Sequence, residues 1–162
     1  MHAGMLLLRV IHLSFSLSLS IPIPITPHQQ QPTMATVHKI VHTEHAPAAL
    51  GPYSQAIVAN GLVFCSGSIG IDPKTSVIPA GLEDQTVQVF ANMSAVLTAS
   101  NSSFKHIVKT TVFLKDMNDF TAVNKIYAEK MGGALPARSC VEVARLPKDV
   151  LVEIECIATV SA

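Results

Sequence analysis

The sequence predicts a small α+β domain of order βββαβαββ, a mixed sheet carrying two helices on one face. Runs with period two, rich in β-branched residues, mark six strands, and the apolar spacing switches to the helical period twice. Two helices are too few for a doubly wound parallel sheet, so both are expected on the same side. The opposite face then lacks a covering layer, and homo-oligomerisation is expected to supply one.

The elements follow in order. Val37 to His42 alternates apolar and polar positions as a half-buried strand does. Ala46-Pro47 to Gly51-Pro52 is a loop, because prolines and a glycine forbid regular pairing. Ser54 to Ala59 and Leu62 to Gly67 are two strands joined by Asn60-Gly61, whose tolerance of positive φ favours a tight hairpin. From Glu83 to about Ser100 the residues Thr86, Val89, Phe90, Met93, Val96 and Leu97 share one helical stripe. Glu83 and Asp84 suit the dipole in its first turn. Ile107 to Leu114 is a β-branched strand. Asn118 or Asp119 is expected to cap a second helix with Phe120, Val123, Ile126 and Tyr127 inward, ending at Gly132-Gly133. Arg138 to Arg145 and Val150 to Thr159 are the last strands, with Leu146 to Asp149 read as a tight turn between them.

Lys plus Arg balance Asp plus Glu at 11 each in 162 residues. That neutrality speaks against a dedicated nucleic-acid binder, which relies on neutralising phosphates. Cys65, Cys140 and Cys156 are odd in number, without CxxC spacing, and no histidine recurs with them at zinc-ligand spacing, so reduced thiols and no metal are expected. Residues 1–33 have no acidic residue, four prolines and a Gln run, and are set apart from the domain at 34–162. They read as an organelle-targeting or unstructured extension, or as a start upstream of Met34, leaving mitochondrion or cytoplasm as the expected compartment. Their apolar run is too short and interrupted for a spanning helix, so no membrane role is expected.

Candidate chemistry gathers in the last two strands. Alternation puts Arg138, Cys140, Glu142 and Ala144 on one face, and Val152, Ile154, Cys156 and Ala158 on an apolar face opposite Glu153 and Glu155. If Pro147 to Val150 make a tight turn, Leu146 pairs with Leu151, and Arg138, Glu142, Glu153 and Glu155 share a face, with Arg138 paired near Thr159. Six residues of strand, about 20 Å, then separate Arg138 from Glu153. One chain could not close both on a small molecule, and a shared interfacial site is expected. Each residue also has a plain structural reading: Arg138 an ion pair, the glutamates a solvated strand face, Cys140 a small packed residue, Tyr53 a loop anchor, and Ser66-Gly67 a turn.

These residues sit in segments that resemble the RidA, or reactive intermediate deaminase, family. The segments are Ala46 to Ala56, which includes Gly51-Pro52-Tyr53-Ser54, then Ser66-Gly67, Ile107 to Asp116, Pro136 to Asp149 with its Pro-Ala-Arg-Ser and Leu-Pro elements, and Glu153-Ile154-Glu155. The resemblance implies a chorismate-mutase-like fold, a homotrimer, and sites in the clefts between subunits. It implies cofactor-free hydrolysis of reactive 2-imino and enamine acids, such as 2-iminobutanoate and 2-iminopropanoate, to 2-oxo acids and ammonia. Arg138 would bind the substrate carboxylate and Glu153 would position the attacking water. Tyr53, Ser66 and Asn124 would line the pocket, while Gly67 and Cys140 would act through backbone groups. Ile69 or Ile71 and Phe120 are candidates for limiting side-chain size. A non-enzymatic role on RNA, as a translation inhibitor, or as a chaperone-like protein is the alternative.

Overall fold

The computed structural model describes residues 38–161; the targeting or unstructured reading of residues 1–33 lies outside them. Six strands and two helices follow the expected order: β1 (Lys39–Val41), β2 (Ala56–Ala59), β3 (Leu62–Ile69), α1 (Leu82–Ala99), β4 (Ile107–Leu114), α2 (Phe120–Met131), β5 (Ala137–Glu142) and β6 (Val152–Thr159). The β2–β3 hairpin turns on Asn60 and Gly61, both at positive φ (51° and 75°), as the dipeptide predicts. All six stripe residues of α1 are buried, and α2 ends on Gly132 in the left-handed conformation. Its start follows expectation in position only: Asp119 is the N-cap residue but its side chain makes no capping bond, and the Asp116 carboxylate instead accepts from the Asn118 N–H, at the head of a 3-10 turn that leads into the helix.

The sheet runs β1-β2-β3-β6-β4-β5. All neighbours are antiparallel except β4 and β5, which run parallel with α2 as their crossover. Both helices lie on the face formed by Val63, Thr110, Val112, Val152, Ile154 and Cys156, where Phe90 meets Phe104 and Tyr127 edge-on. Truncating Phe90, which is 2% exposed, would cost about 3–5 kcal/mol. On the other face Phe64, at 43% exposure, and Ile40, at 63%, have no layer over them among the described residues.

The expected β5–β6 hairpin does not form. β6 lies between β3 and β4, whereas β5 is an edge strand beyond β4. The 143–151 connection crosses the end of β4, held where Lys115 N–H donates to Leu151 C=O. Leu146 and Val150, read from sequence as the flank and the last residue of that turn, are buried with Ile69 and Ile71 in a second apolar cluster. That burial anchors the connection as a packed crossing in place of a hairpin. The shared face proposed for Arg138 and Glu153 goes with it. Arg138 is registered with Thr110, which faces the helices, and Glu153 with Phe113 on the open face. Glu142 likewise turns to the helix side, away from Glu153 and Glu155.

Candidate active site

The structure sorts the sequence-predicted site residues into two separate places. Tyr53, Ser66, Gly67 and Glu153 surround a cleft of about 430 Å³. It exists because β2 pairs with β3 only as far as Cys65, and the loop before β2 covers the rest of β3. Buried Gln55 holds that loop. Its side-chain carbonyl accepts from Thr43 N–H, and its amide group donates to the carbonyls of Thr43, Ala46 and Pro47. Sequence reasoning gave Gln55 no role; the available signal was a polar residue at the mouth of an apolar strand.

At the cleft floor β3 shifts register against β6 between Cys65 and Ser68. This bulge re-aims the backbone and contains Ser66 and Gly67. The Ser66 hydroxyl donates to Ser54 C=O at 2.7 Å, and its N–H donates to Gln55 C=O, so one of its functions is to fasten the loop. Tyr53 accepts from Leu50 N–H through its hydroxyl oxygen and keeps its own proton for donation. Gly67 has a steric reason to be glycine. A Cβ there would collide with the Glu153 carboxylate, its Cδ lying 2.8 Å from the added atom. The missing side chain is the space that Glu153 occupies.

Burial, and secondarily the charge of Glu155, push the Glu153 carboxyl above the usual carboxylate range. Among the described residues two carboxylates line this cleft and no Lys or Arg does. By itself it repels an anion.

The second place is on the helix side, at the β5 edge. Arg138 lies across two aromatic rings of α2, its guanidinium carbon 4.6 Å from the centre of Tyr127 and 5.7 Å from that of Phe120. Its Nη1 donates to Asn124 Oδ1 at 2.8 Å. Positions 120, 124 and 127 fall on one face of a helix, so this cradle was present in the spacing though Tyr127 was read only as core. Tyr127 is itself fixed by a 2.8 Å hydrogen bond with Thr110. Among the described residues no carboxylate pairs with Arg138. Beside it is a recess lined by Asn124, Met131, Gly133 and Leu135, the last 96% exposed. Asn124 therefore stands with Arg138 and not with Tyr53 or Ser66. Cys140, two residues along β5, is half-buried against the core, and burial pushes its thiol up despite the nearby Arg138 charge. Ile69 and Ile71 line the acidic cleft, but Phe120 belongs to the arginine cradle.

Two strand spacings and three residues of rise separate Arg138 from Glu153 in one chain, about 14 Å at the backbone, and the side chains leave opposite faces. They cannot hold the same small molecule.

Residues 43–160 match the family model described as Endoribonuclease L-PSP. The chain belongs to the RidA family. It is 57% identical over 123 residues to a RutC family protein of Synechocystis, covering 74% of this chain and 95% of that one. It is 52% identical to the chloroplastic Reactive Intermediate Deaminase A of Arabidopsis thaliana, covering 75% of this chain and 65% of the relative. Identity to the 2-iminobutanoate/2-iminopropanoate deaminase of Mus musculus is 44%, covering 75% and 91%. Among solved structures, an endoribonuclease L-PSP homologue from Entamoeba histolytica superposes with a TM-score of 0.75 at 48% identity, covering 76% and 100%. The E. coli TdcF structure with bound serine superposes with 0.72 at 44%, covering 76% and 99%. The RidA fold and the topology above are thus the same finding reached from two directions.

Proposed function

We propose that this RidA member hydrolyses short 2-imino acids to 2-oxo acids and ammonia, at sites assembled between copies of the chain in a homotrimer. The observation that carries the reading is charge complementarity between two incomplete places: an unpaired arginine on one, and a cleft with acids and no cation on the other. Bringing Arg138 of one copy to the cleft of another supplies the missing cation. The uncovered sheet face, with exposed Ile40, Phe64 and Val141, offers the apolar area such an assembly needs. The relatives named as imine deaminases and the serine bound to TdcF agree in ligand class, since each concerns a small molecule with a carboxylate beside a substituted carbon.

The chemistry asked of the residues is modest. Arg138, pre-set by Asn124 and its two rings, grips the substrate carboxylate through two parallel N–H donors. Glu153 of the neighbouring copy accepts a proton from a water aimed at the imine carbon, for which a raised carboxyl pKa is favourable. Glu153 returns that proton to the nitrogen of the tetrahedral carbinolamine, the C–N bond breaks to release ammonia, and loss of the hydroxyl proton as the C=O forms leaves the 2-oxo acid. A protonated imine is already electrophilic, so proximity and orientation supply most of the acceleration. No cofactor enters this scheme.

The test is hydrolysis of an imine generated in situ by an amino-acid oxidase, with Arg138→Ala beside the wild type and light scattering to follow assembly. Loss of a charged partner worth about 2–5 kcal/mol lowers kcat/KM by about 30-fold or more, with the trimer intact. A rate within a few-fold of wild type would sink the carboxylate role. Absence of acceleration by the wild type, together with salt-dependent RNA binding, would favour the action suggested by the L-PSP description, against which the balanced charge argues.

A further inference from the structure

Two of the three thiols have no part in the reaction just described, yet they face each other. Cys65 of β3 and Cys156 of β6 are direct partners in the antiparallel ladder. Residues so opposed have Cα atoms about 4.5–5.5 Å apart, inside the range of about 4.4–6.8 Å that a disulfide spans. Opposed residues also project to the same side of the sheet, here the helix side, where Cys156 is buried and Cys65 packs half-buried against the same core. Both are free thiols. Their access to solvent is unequal. Cys65 lines the acidic cleft, immediately before the Ser66–Gly67 bulge, whereas Cys156 lies behind it, 2% exposed.

The plain reading is a pair of small packed residues. It does not account for one thiol of the pair opening on the cleft while the other sits directly behind it. A thiol at the opening with a second one opposed to it from behind is the order of an attacking and a resolving cysteine.

We propose that Cys65 is a peroxide-reactive site at the floor of the cleft, with Cys156 as the partner that resolves it into a reversible cross-strand disulfide. The Cys65 thiolate attacks one peroxide oxygen, forming an S–O bond as the O–O bond breaks. That leaves a sulfenic acid and a hydroxide that takes up the proton Cys65 released. The Cys156 sulfur then attacks the sulfenic sulfur. The S–S bond forms, the S–O bond breaks, and the second hydroxide departs as water with the Cys156 proton. Two thiols lose two electrons and hydrogen peroxide becomes two waters. The inference stands on the strand register and the cleft, and holds whether or not the cleft hydrolyses imines.

The experiment treats the whole protein with graded hydrogen peroxide under native conditions and follows intact mass and peptide maps. The expected product has lost two hydrogen atoms per chain, carries a Cys65–Cys156 link, and returns to the starting mass with dithiothreitol. In Cys156→Ala the resolving sulfur is gone, and Cys65 should go on to the sulfinic acid under the same dose. The proposal fails if wild-type Cys65 reaches the sulfinic acid as readily as the variant does. It also fails if Cys65 stays reduced while Cys140 alone is oxidised, or if both thiols of the pair survive the full titration. Wild-type protein decides the matter even if the variant does not fold.

Discussion

The acidic cleft and the arginine cradle differ in what they are made of. The cleft is a backbone construction: a bulge, a glycine where a side chain will not fit, and a loop hung on four hydrogen bonds from Gln55. The cradle is a side-chain construction on one helix and an edge strand, with aromatic faces worth about 0.5–2 kcal/mol to the cation lying on them. Among the described residues the cleft is acidic and without a cation, and the cradle is cationic and without an acid. On the function proposed above, one chain carries two halves of a site, and mutations should affect the halves in different ways.

The largest expected effect comes from mixing. Arg138→Ala and Glu153→Gln proteins should each be inactive, but co-refolded at equal amounts they should recover about a quarter of wild-type activity, as random assembly of a cyclic oligomer joins one intact half of each kind. Recovery no greater than the sum of the two parents would break the division into halves. Next is Gly67→Ala. The new methyl must displace the Glu153 carboxylate, the far end of a flexible side chain, so activity should fall at least tenfold with little change in unfolding free energy. Thermal unfolding alongside kcat/KM checks both. Asn124→Ala removes one hydrogen bond to Arg138 and leaves its aromatic bed, so a KM rise of about tenfold is expected, the scale of a hydrogen bond to a charged group. Loss as deep as that of Arg138→Ala would show that the rings contribute little.

The smallest effect concerns pH. Glu153 has a folded pKa above its unfolded one, so the folded form is favoured while the group is protonated, and that contribution is lost as pH rises through the raised value. Activity has the opposite sign, because the carboxylate is the working form and the rate should fall as pH drops through that same window. Glu155→Gln removes one of the two causes and should move the acid limb of kcat/KM to lower pH, with a change at neutral pH within about twofold. An unmoved limb would mean that burial alone sets it.

Much of this was legible in the residues. The Asn60-Gly61 turn, the α1 stripe and the inward face of β6 follow from local periodicity and turn chemistry, and all three appear as expected. Strand partners were the weak link. Leu146-Pro147-Lys148-Asp149 reads locally as a hairpin turn, but its fate is settled by where Leu146 and Val150 find apolar surface, and Ile69 and Ile71 lie far away in sequence. A strand–helix–strand order from β4 through α2 to β5 was the available sign of parallel pairing. The inference that Arg138 and Glu153 are apart within a chain survives, but for a different reason: opposite faces of the sheet and not distance along a hairpin. Partners of single side chains were hidden for the same reason. Asn124 meets Arg138 only once the fold brings α2 beside β5, and Gln55 acquires its four bonds only once residues 43–47 fold back on it.

The interlock of Gly67 with Glu153 also offers a way to sort relatives by eye. While the acid occupies that space, position 67 accepts no side chain. A lineage that gives up the acid frees the glycine to drift, and a lineage that fills position 67 must first move or lose the acid. Two letters read together, one from the third strand and one from the sixth, should therefore divide chains of this fold into those that keep an acid in this cleft and those that do not.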